Sequence, residues 1–241
     1  MVDHRGRVTA PITVAVAQPR CVPHDVRANA AAHADAVRRA QARVVIFPEL
    51  SLTGYELDAA AVGVDDERLG LIVEACARTG AVALVGAPVQ RRAGCAHVAM
   101  LAIDGAGARV VYDKLWVADT EAERFSPGDG PAAIAVDGRR LGLALCKDTS
   151  IPEHAAATAA LGIDMYVAGT VMHSHEASLQ SDRAAARAAE HGVAVAVASF
   201  AGPTGGGYDR TAGGSGIWDA GGAVLAQAGA QPGEIVRATL P

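Results

Sequence analysis

Apolar residues fall into short runs separated by polar stretches, and two spacings alternate along the chain. Residues 12–17 are a β-branched run of strand length, and residues 24 to about 41 are Ala-rich with apolar positions at helical spacing. A second strand over 43–47 is stopped by Pro48, and a helix over 66–78 ends with Gly80 near its C-cap. Strands follow over 81–89, 96–103 and 109–112, the last two joined at Asp104-Gly105, and a further hairpin pairs 132–136 with 140–145 about Asp137-Gly138. The pattern then predicts a helix over 152–161, a strand over 164–168, a helix over 177–191 and a strand over 193–199. Strand-like segments at 214–219, 223–228 and 235–238 complete the set.

Helices alternate with apolar strands over 12–47 and 141–199, with hairpins elsewhere. That mixture predicts a layered α/β protein with mixed sheets, because a purely parallel sheet contains no hairpins. No Ser/Pro-rich linker or fixed-period repeat divides the 241 residues, so one domain over 1–241 is expected, with a core of about 10–240. The Gly-rich segment 202–216 reads as a surface loop, and it lacks the Gly-Lys-Ser/Thr ending of a phosphate loop.

Composition narrows the classes. With 51% apolar and 20% charged residues, the chain can bury a sizeable core and is not disordered. A net charge of −5 offers no broad basic face for nucleic acid. No apolar stretch reaches the roughly 18 residues of a membrane helix. Residues 1–20 lack the basic-then-apolar layout of an export signal, so a cytoplasmic location is expected. The chain ends at Pro241 soon after its last strand, and no appended domain is expected. Cys21, Cys76, Cys95 and Cys146 show no CxxC pairing and read as free thiols.

Candidate chemistry begins with lysine. Of 21 basic residues only Lys114 and Lys147 are lysine, the rest being arginine, which cannot readily give up its proton. An arginine-rich composition with two surviving lysines is the plain alternative. Both lysines, however, sit at strand ends beside other reactive groups. Lys114 follows the strand over 109–112, and Lys147 follows Cys146 at the end of an apolar run. A cysteine there, just before a helix, would present its thiol near backbone N–H groups that can hold an oxyanion. Glu49 ends the strand over 43–47 in the same manner. Each taken singly also reads as a core thiol or a solvated loop charge.

Val45-Ile46-Phe47-Pro48-Glu49-Leu50-Ser51-Leu52-Thr53-Gly54-Tyr55, Tyr112-Asp113-Lys114-Leu115 and Leu143-Ala144-Leu145-Cys146-Lys147-Asp148 resemble the three signature blocks of the nitrilase, or carbon–nitrogen hydrolase, superfamily, in the family's order. The likeness extends to Val14-Ala15-Val16-Ala17-Gln18, Phe125-Ser126-Pro127-Gly128-Asp129, Ile151-Pro152-Glu153, Arg187-Ala188-Ala189-Glu190-His191 and Gly213-Gly214-Ser215-Gly216-Ile217. It implies a four-layer α-β-β-α sandwich, assembled into a homodimer or higher homo-oligomer, that needs no metal or organic cofactor. It also implies Glu49 as general base, Lys114 as stabiliser of the tetrahedral intermediate and Cys146 as nucleophile. The family's assisting second glutamate matches Glu121, six residues before Pro127, better than Glu123.

Two departures stand out. Lys147 replaces a tyrosine common in the family; its backbone N–H would still serve as an oxyanion donor, and its ammonium would lower the Cys146 pKa. After the strand over 164–168, Thr170, His173 and His175 occupy the stretch that lines the family's pocket, where they would contact substrate or, for the histidines, simply face solvent. His173-x-His175 lacks further ligands at metal-site spacing. The expected activity is hydrolysis of a small linear amide or carbamoyl compound; nitrile hydrolysis on the same triad and a non-catalytic binding relative are the alternatives. Family habit favours amides, and an aromatic content of 4% favours a small polar or aliphatic substrate. A nucleophilic Cys146 alkylates much faster than Cys21, Cys76 or Cys95. Peptide mapping after a brief iodoacetamide pulse reads this directly, and equal labelling of all four thiols would mark Cys146 as packing only.

Overall fold

The computed structural model describes residues 10–92 and 94–241. Residues 1–9, part of the segment read for an export signal, lie outside the described residues. Twelve strands form two six-stranded sheets among the described residues. The first runs β12 (Glu234–Leu240), β1 (Ile12–Gln18), β2 (Val44–Ile46), β3 (Val82–Arg92), β4 (Cys95–Asp104), β5 (Gly107–Asp113). The second runs β11 (Val224–Gln227), β10 (Gly216–Trp218), β9 (Ala194–Ser199), β8 (Met165–Thr170), β7 (Arg139–Leu145), β6 (Ala133–Val136). β1, β2 and β3 are parallel, as are β7, β8 and β9, and the flanking pairs are antiparallel. This is the expected mixed-sheet α-β-β-α sandwich.

Period-two alternation sorts the layers. Val14, Val16, Val44, Ile46 and Leu84 face Leu141, Leu143, Leu145, Val167 and Ala196 in the core between the sheets. The alternate residues Ala15, Ala17, Val45 and Phe47 pack outward under α1 (Val26–Ala40) and α2 (Gly70–Thr79). Ala144, Tyr166, Ala168 and Trp218 do the same under α3 (Pro152–Ala159) and α4 (Ala177–His191). Central strands are therefore buried on both faces, which explains their nearly continuous apolar runs.

Every predicted element is present, with boundary differences that have local causes. α1 starts at Val26 because Asp25 caps it, its carboxylate accepting from Ala28 N–H, while His24 lies at φ 61°. The helix expected over 66–78 opens instead with a 3-10 turn, Glu67–Leu69, capped by Asp66. Asp137 and Gly138, at φ 50° and 81°, form the two-residue turn predicted between β6 and β7. The β4–β5 turn sits one residue later than expected, with Asp104 paired to Gly107. The Gly-rich segment 202–216 is a surface loop only in its first half. Ala212 and Ser215 are buried because their N–H groups donate to Met172 O and Gln18 Oε1 between the sheets. No helix of the described residues is long and apolar enough to cross a membrane.

The Phe47–Leu50 backbone is wedged between Gly86 of β3 and Gly169 of β8. An added Cβ on Gly86 of β3 would come within 2.3 Å of Leu50 N, and one on Gly169 of β8 within 2.7 Å of Phe47 O. Both positions therefore exclude a side chain. Gly86→Ala or Gly169→Ala should each lower the free energy of unfolding by about 1–3 kcal/mol through overpacking. Urea unfolding tests this, and an unchanged midpoint would mean the wedge is free to shift.

Candidate active site

Three segments, two following strands of the first sheet and one following a strand of the second, converge at one end of the sandwich. Glu49 follows β2, where Phe47 N–H donates to Leu84 O and Leu52 N–H to Gly86 O, and Leu50 takes φ 51° to turn the chain. Lys114 follows β5. Its N–H donates to Val98 O, its carbonyl accepts from Gly128 N–H, and Gly128 lies so close to Asp113 O that a Cβ would fall 2.3 Å from it. Cys146 ends β7 at φ 39°, a strained conformation costing on the order of 1–3 kcal/mol for a residue with a side chain. The turn after it is held by Asp148, which accepts from Leu145 N–H, and by Thr149 Oγ1 donating to Cys146 O.

Lys114 is the centre of the cluster. Its side chain is 1% exposed and that of Glu49 is 0% exposed. Nζ donates to both Glu121 oxygens at 2.7 and 2.8 Å and lies 2.8 Å from Glu49 Oε1. Glu121 also accepts from Tyr55 Oη at 2.6 Å and from Ala118 N–H at 2.7 Å. Glu49 has the ion pair alone: among the described residues neither of its oxygens has a well-aligned hydrogen bond. One carboxylate is fully engaged; the other is free to take a proton.

The charges follow from this geometry. Burial would push the Lys114 ammonium down, but Glu49, Cys146 and Glu121 together hold it well above the ordinary lysine value. Opposite charges about 4 Å apart attract by roughly 4 kcal/mol at an effective dielectric of about 20, so two carboxylates outweigh the burial. Burial raises Glu49 to about 7, with Lys114 opposing and Glu121 reinforcing the rise. Burial also acts to raise Glu121, yet Lys114, Tyr55 and the Ala118 N–H bring it below the usual carboxylate range. Burial and the Glu49 charge raise the Cys146 thiol, against Lys114. The half-buried thiol, donating to Val171 O at 3.2 Å, is protonated at rest.

The structure brings Glu49, Lys114, Glu121 and Cys146 together, while Glu123 is exposed. It corrects the expectation for Lys147. Nζ of Lys147 donates to Val117 O at 3.0 Å and lies 3.8 Å from Asp119 Oδ1, so its charge is spent on the neighbouring loop and the thiol is raised rather than lowered. Thr170 is not at the site either. It points to the outer face of β8, where Oγ1 donates to Gln180 Oε1 of α4 at 2.9 Å. His173 is half-buried and stacks on Tyr208, ring centroids 4.3 Å apart, and exposed His175 stacks on His173 at 5.3 Å. Tyr208 meets Tyr55 edge-on at 5.2 Å, and its hydroxyl is raised first by burial and then by Cys146 and Glu49. The histidines thus reach the cluster through Tyr208.

Among the described residues, His24, Glu56 and Asp58 are the one trio close enough to share a cation, and His173 and His175 are not in it. Sequence reasoning passed over Tyr55, Asp148 and Tyr208. The first two lie inside the motif blocks, beside the residues chosen. Tyr208 carried a weaker signal, as the single aromatic residue of the Gly-rich loop.

A buried cation beside a protonatable carboxylate and a strained thiol is an arrangement suited to acyl transfer. The chain belongs to the carbon–nitrogen hydrolase family, whose model matches residues 13–241. Its structure is similar to that of the amidase from Nesterenkonia sp. AN1, at a TM-score of 0.85 and 27% identity over 95% of this chain and 90% of that one. That protein has been seen, as a mutant, with the acetamide moiety of fluoroacetamide added covalently at its active-site cysteine. Another mutant of it has been seen in complex with butyramide. The chain is also 29% identical over 204 residues to a hydrolase in the pqqF 5′ region of Pseudomonas protegens, covering 79% of this chain and 70% of that protein. An (R)-stereoselective amidase from Pseudomonas sp. is 27% identical over 127 residues, spanning 46% of its own length.

The apparent pKa near 7 belongs to the Glu49–Lys114–Glu121 cluster as a whole. Protonating Glu49 removes the base, so Cys146 alkylation by iodoacetamide should slow as pH falls through about 7. Glu49→Gln should abolish that inflection; its survival in the variant would assign the titration to another group.

Proposed function

We propose that the enzyme hydrolyses a small linear amide or carbamoyl compound through a thioester on Cys146. The observation that carries this reading is the Lys114 ammonium locked between Glu49 and Glu121 beside the thiol. Cys146 Sγ attacks the carbonyl carbon as its proton passes to Glu49. Charge then develops on the carbonyl oxygen, where the Lys114 ammonium and the Lys147 backbone N–H are the donors, each oxyanion donor contributing on the order of 3 kcal/mol. The C–N bond breaks as Glu49 returns the proton to the departing nitrogen, releasing ammonia or an amine. Glu49 next deprotonates a water that attacks the thioester carbon, and the sulfur leaves and is reprotonated as the acid is released. No step draws on a metal or organic cofactor.

Tyr55 and Tyr208 stand beside this centre and support a short acyl group; His173, behind Tyr208, adds a polar flank. The amides seen with the Nesterenkonia amidase support the same size class. The free state of all four cysteines supports a reducing, cytoplasmic setting. The shared core between the sheets supports a single working domain, and assembly as a homodimer or larger homo-oligomer completes the proposal.

Intact-mass spectrometry against short amides, carbamoyl compounds and nitriles, with Cys146→Ala as control, tests the reading. The expected result is an acyl adduct on Cys146 with ammonia released from amides, both lost in the variant. Turnover of nitriles alone would replace amide hydrolysis with nitrile hydrolysis.

A further inference from the structure

Beneath the Cys146 elbow lies a buried polar chain that crosses from one sheet to the outer helices. Tyr112 of β5 donates its hydroxyl hydrogen to Asp148 Oδ2 at 2.7 Å. A phenol has one hydrogen, so His154 Nε2 of α3, 2.8 Å from the same hydroxyl, must be the donor in that contact. Burial pushes His154 below the usual imidazole value, against the pull of Asp148, and the ring is neutral. Its Nδ1 is then unprotonated and accepts from Tyr166 Oη of β8 at 3.0 Å. With the Tyr112 hydrogen on Asp148, the directions run Tyr166 to His154, His154 to Tyr112, Tyr112 to Asp148. Both tyrosine rings pack edge-on to the imidazole, with centroids 6.0 Å away.

Asp148 is where this chain meets the chemistry. Besides Tyr112 it accepts from Leu145 N–H, the residue before the nucleophile, at 2.9 Å, and from Trp116 N–H, two residues beyond Lys114, at 2.8 Å. One buried carboxylate therefore ties the loop carrying Lys114 to the elbow carrying Cys146. The other tautomer of His154 would present Nε2 as an acceptor, draw the Tyr112 hydrogen away from Asp148 and weaken that tie.

We propose that His154 is a positioning residue for the catalytic centre: through Tyr112 and Asp148 it sets the spacing of Lys114 and Cys146, and the Tyr112 hydrogen taken by Asp148 selects the tautomer that does so. The inference rests on the hydrolytic role of Cys146 proposed above. His154→Leu removes the chain, whereas in His154→Gln an amide N–H takes the place of Nε2–H toward Tyr112. Counted per Cys146 able to form an acetamide adduct, His154→Leu should lower kcat about ten- to a hundredfold, the loss expected of a displacement near 1 Å. KM should stay nearly constant, as for an interaction made in the transition state, and His154→Gln should recover most of the rate. Nitrogen-15 NMR of the wild-type protein should show His154 protonated at Nε2 and bare at Nδ1, and Tyr112→Phe, which cuts the link to Asp148, should mix the tautomers. Unchanged kcat per titrated site in His154→Leu, or a proton on Nδ1 in the wild type, would overturn the proposal. Should the wild-type protein hydrolyse none of the compounds tested, the functional reading fails by itself. The positioning role then stands or falls on the NMR spectrum and on whether His154→Leu slows Cys146 alkylation.

Discussion

A lysine ammonium buried to 1% exposure between two carboxylates is the constraint around which the rest of this molecule is arranged. A charge so placed must be paired, since removing one partner from a buried pair typically costs about 3–5 kcal/mol. Its partners come from separate parts of the chain. Glu49 arrives from the end of β2, Glu121 from the loop after β5, and Tyr55 Oη and Ala118 N–H hold Glu121 in turn. Gly86 and Gly169, one from each sheet, leave room for the Glu49 backbone, and Gly128 leaves room for that of Lys114.

The same cluster divides labour between its carboxylates. Glu121 accepts four hydrogen bonds from Lys114, Tyr55 and Ala118 and is held below its ordinary range, so it anchors the cation. Glu49 is buried without an aligned donor and is raised to about 7, where it can both take and return a proton. Environments that push two neighbouring carboxyls apart are how one site supports both roles near neutral pH. The thiol is accordingly not a standing thiolate. Burial first, and then the negative charge on Glu49, keep its proton in place at rest.

Much of this was legible along the chain. The short apolar runs of β1 and β7 and the Asp137-Gly138 turn are local properties, set by strand-length burial and backbone sterics. Glu49, Lys114 and Cys146 each end an apolar run, and the motif blocks around them carried the family likeness. Boundaries such as Val26 and the 3-10 opening of α2 were less legible, because a capping carboxylate acts over one or two residues and leaves the periodicity unchanged.

What the sequence by itself determined is therefore the layered class, the order of the elements and the reactive residue types at their ends, all of which depend on neighbours a few positions away. Tertiary structure alone decided where long side chains point and what they meet. Lys147 turns to Val117 and Asp119 instead of the thiol, Thr170 turns to Gln180, and His173 stacks on Tyr208. It also decided that Glu121 is fully hydrogen-bonded while Glu49 is buried without an aligned donor. Hydrogen bonding and burial between residues distant in the chain set that difference, which spacing along the chain does not show.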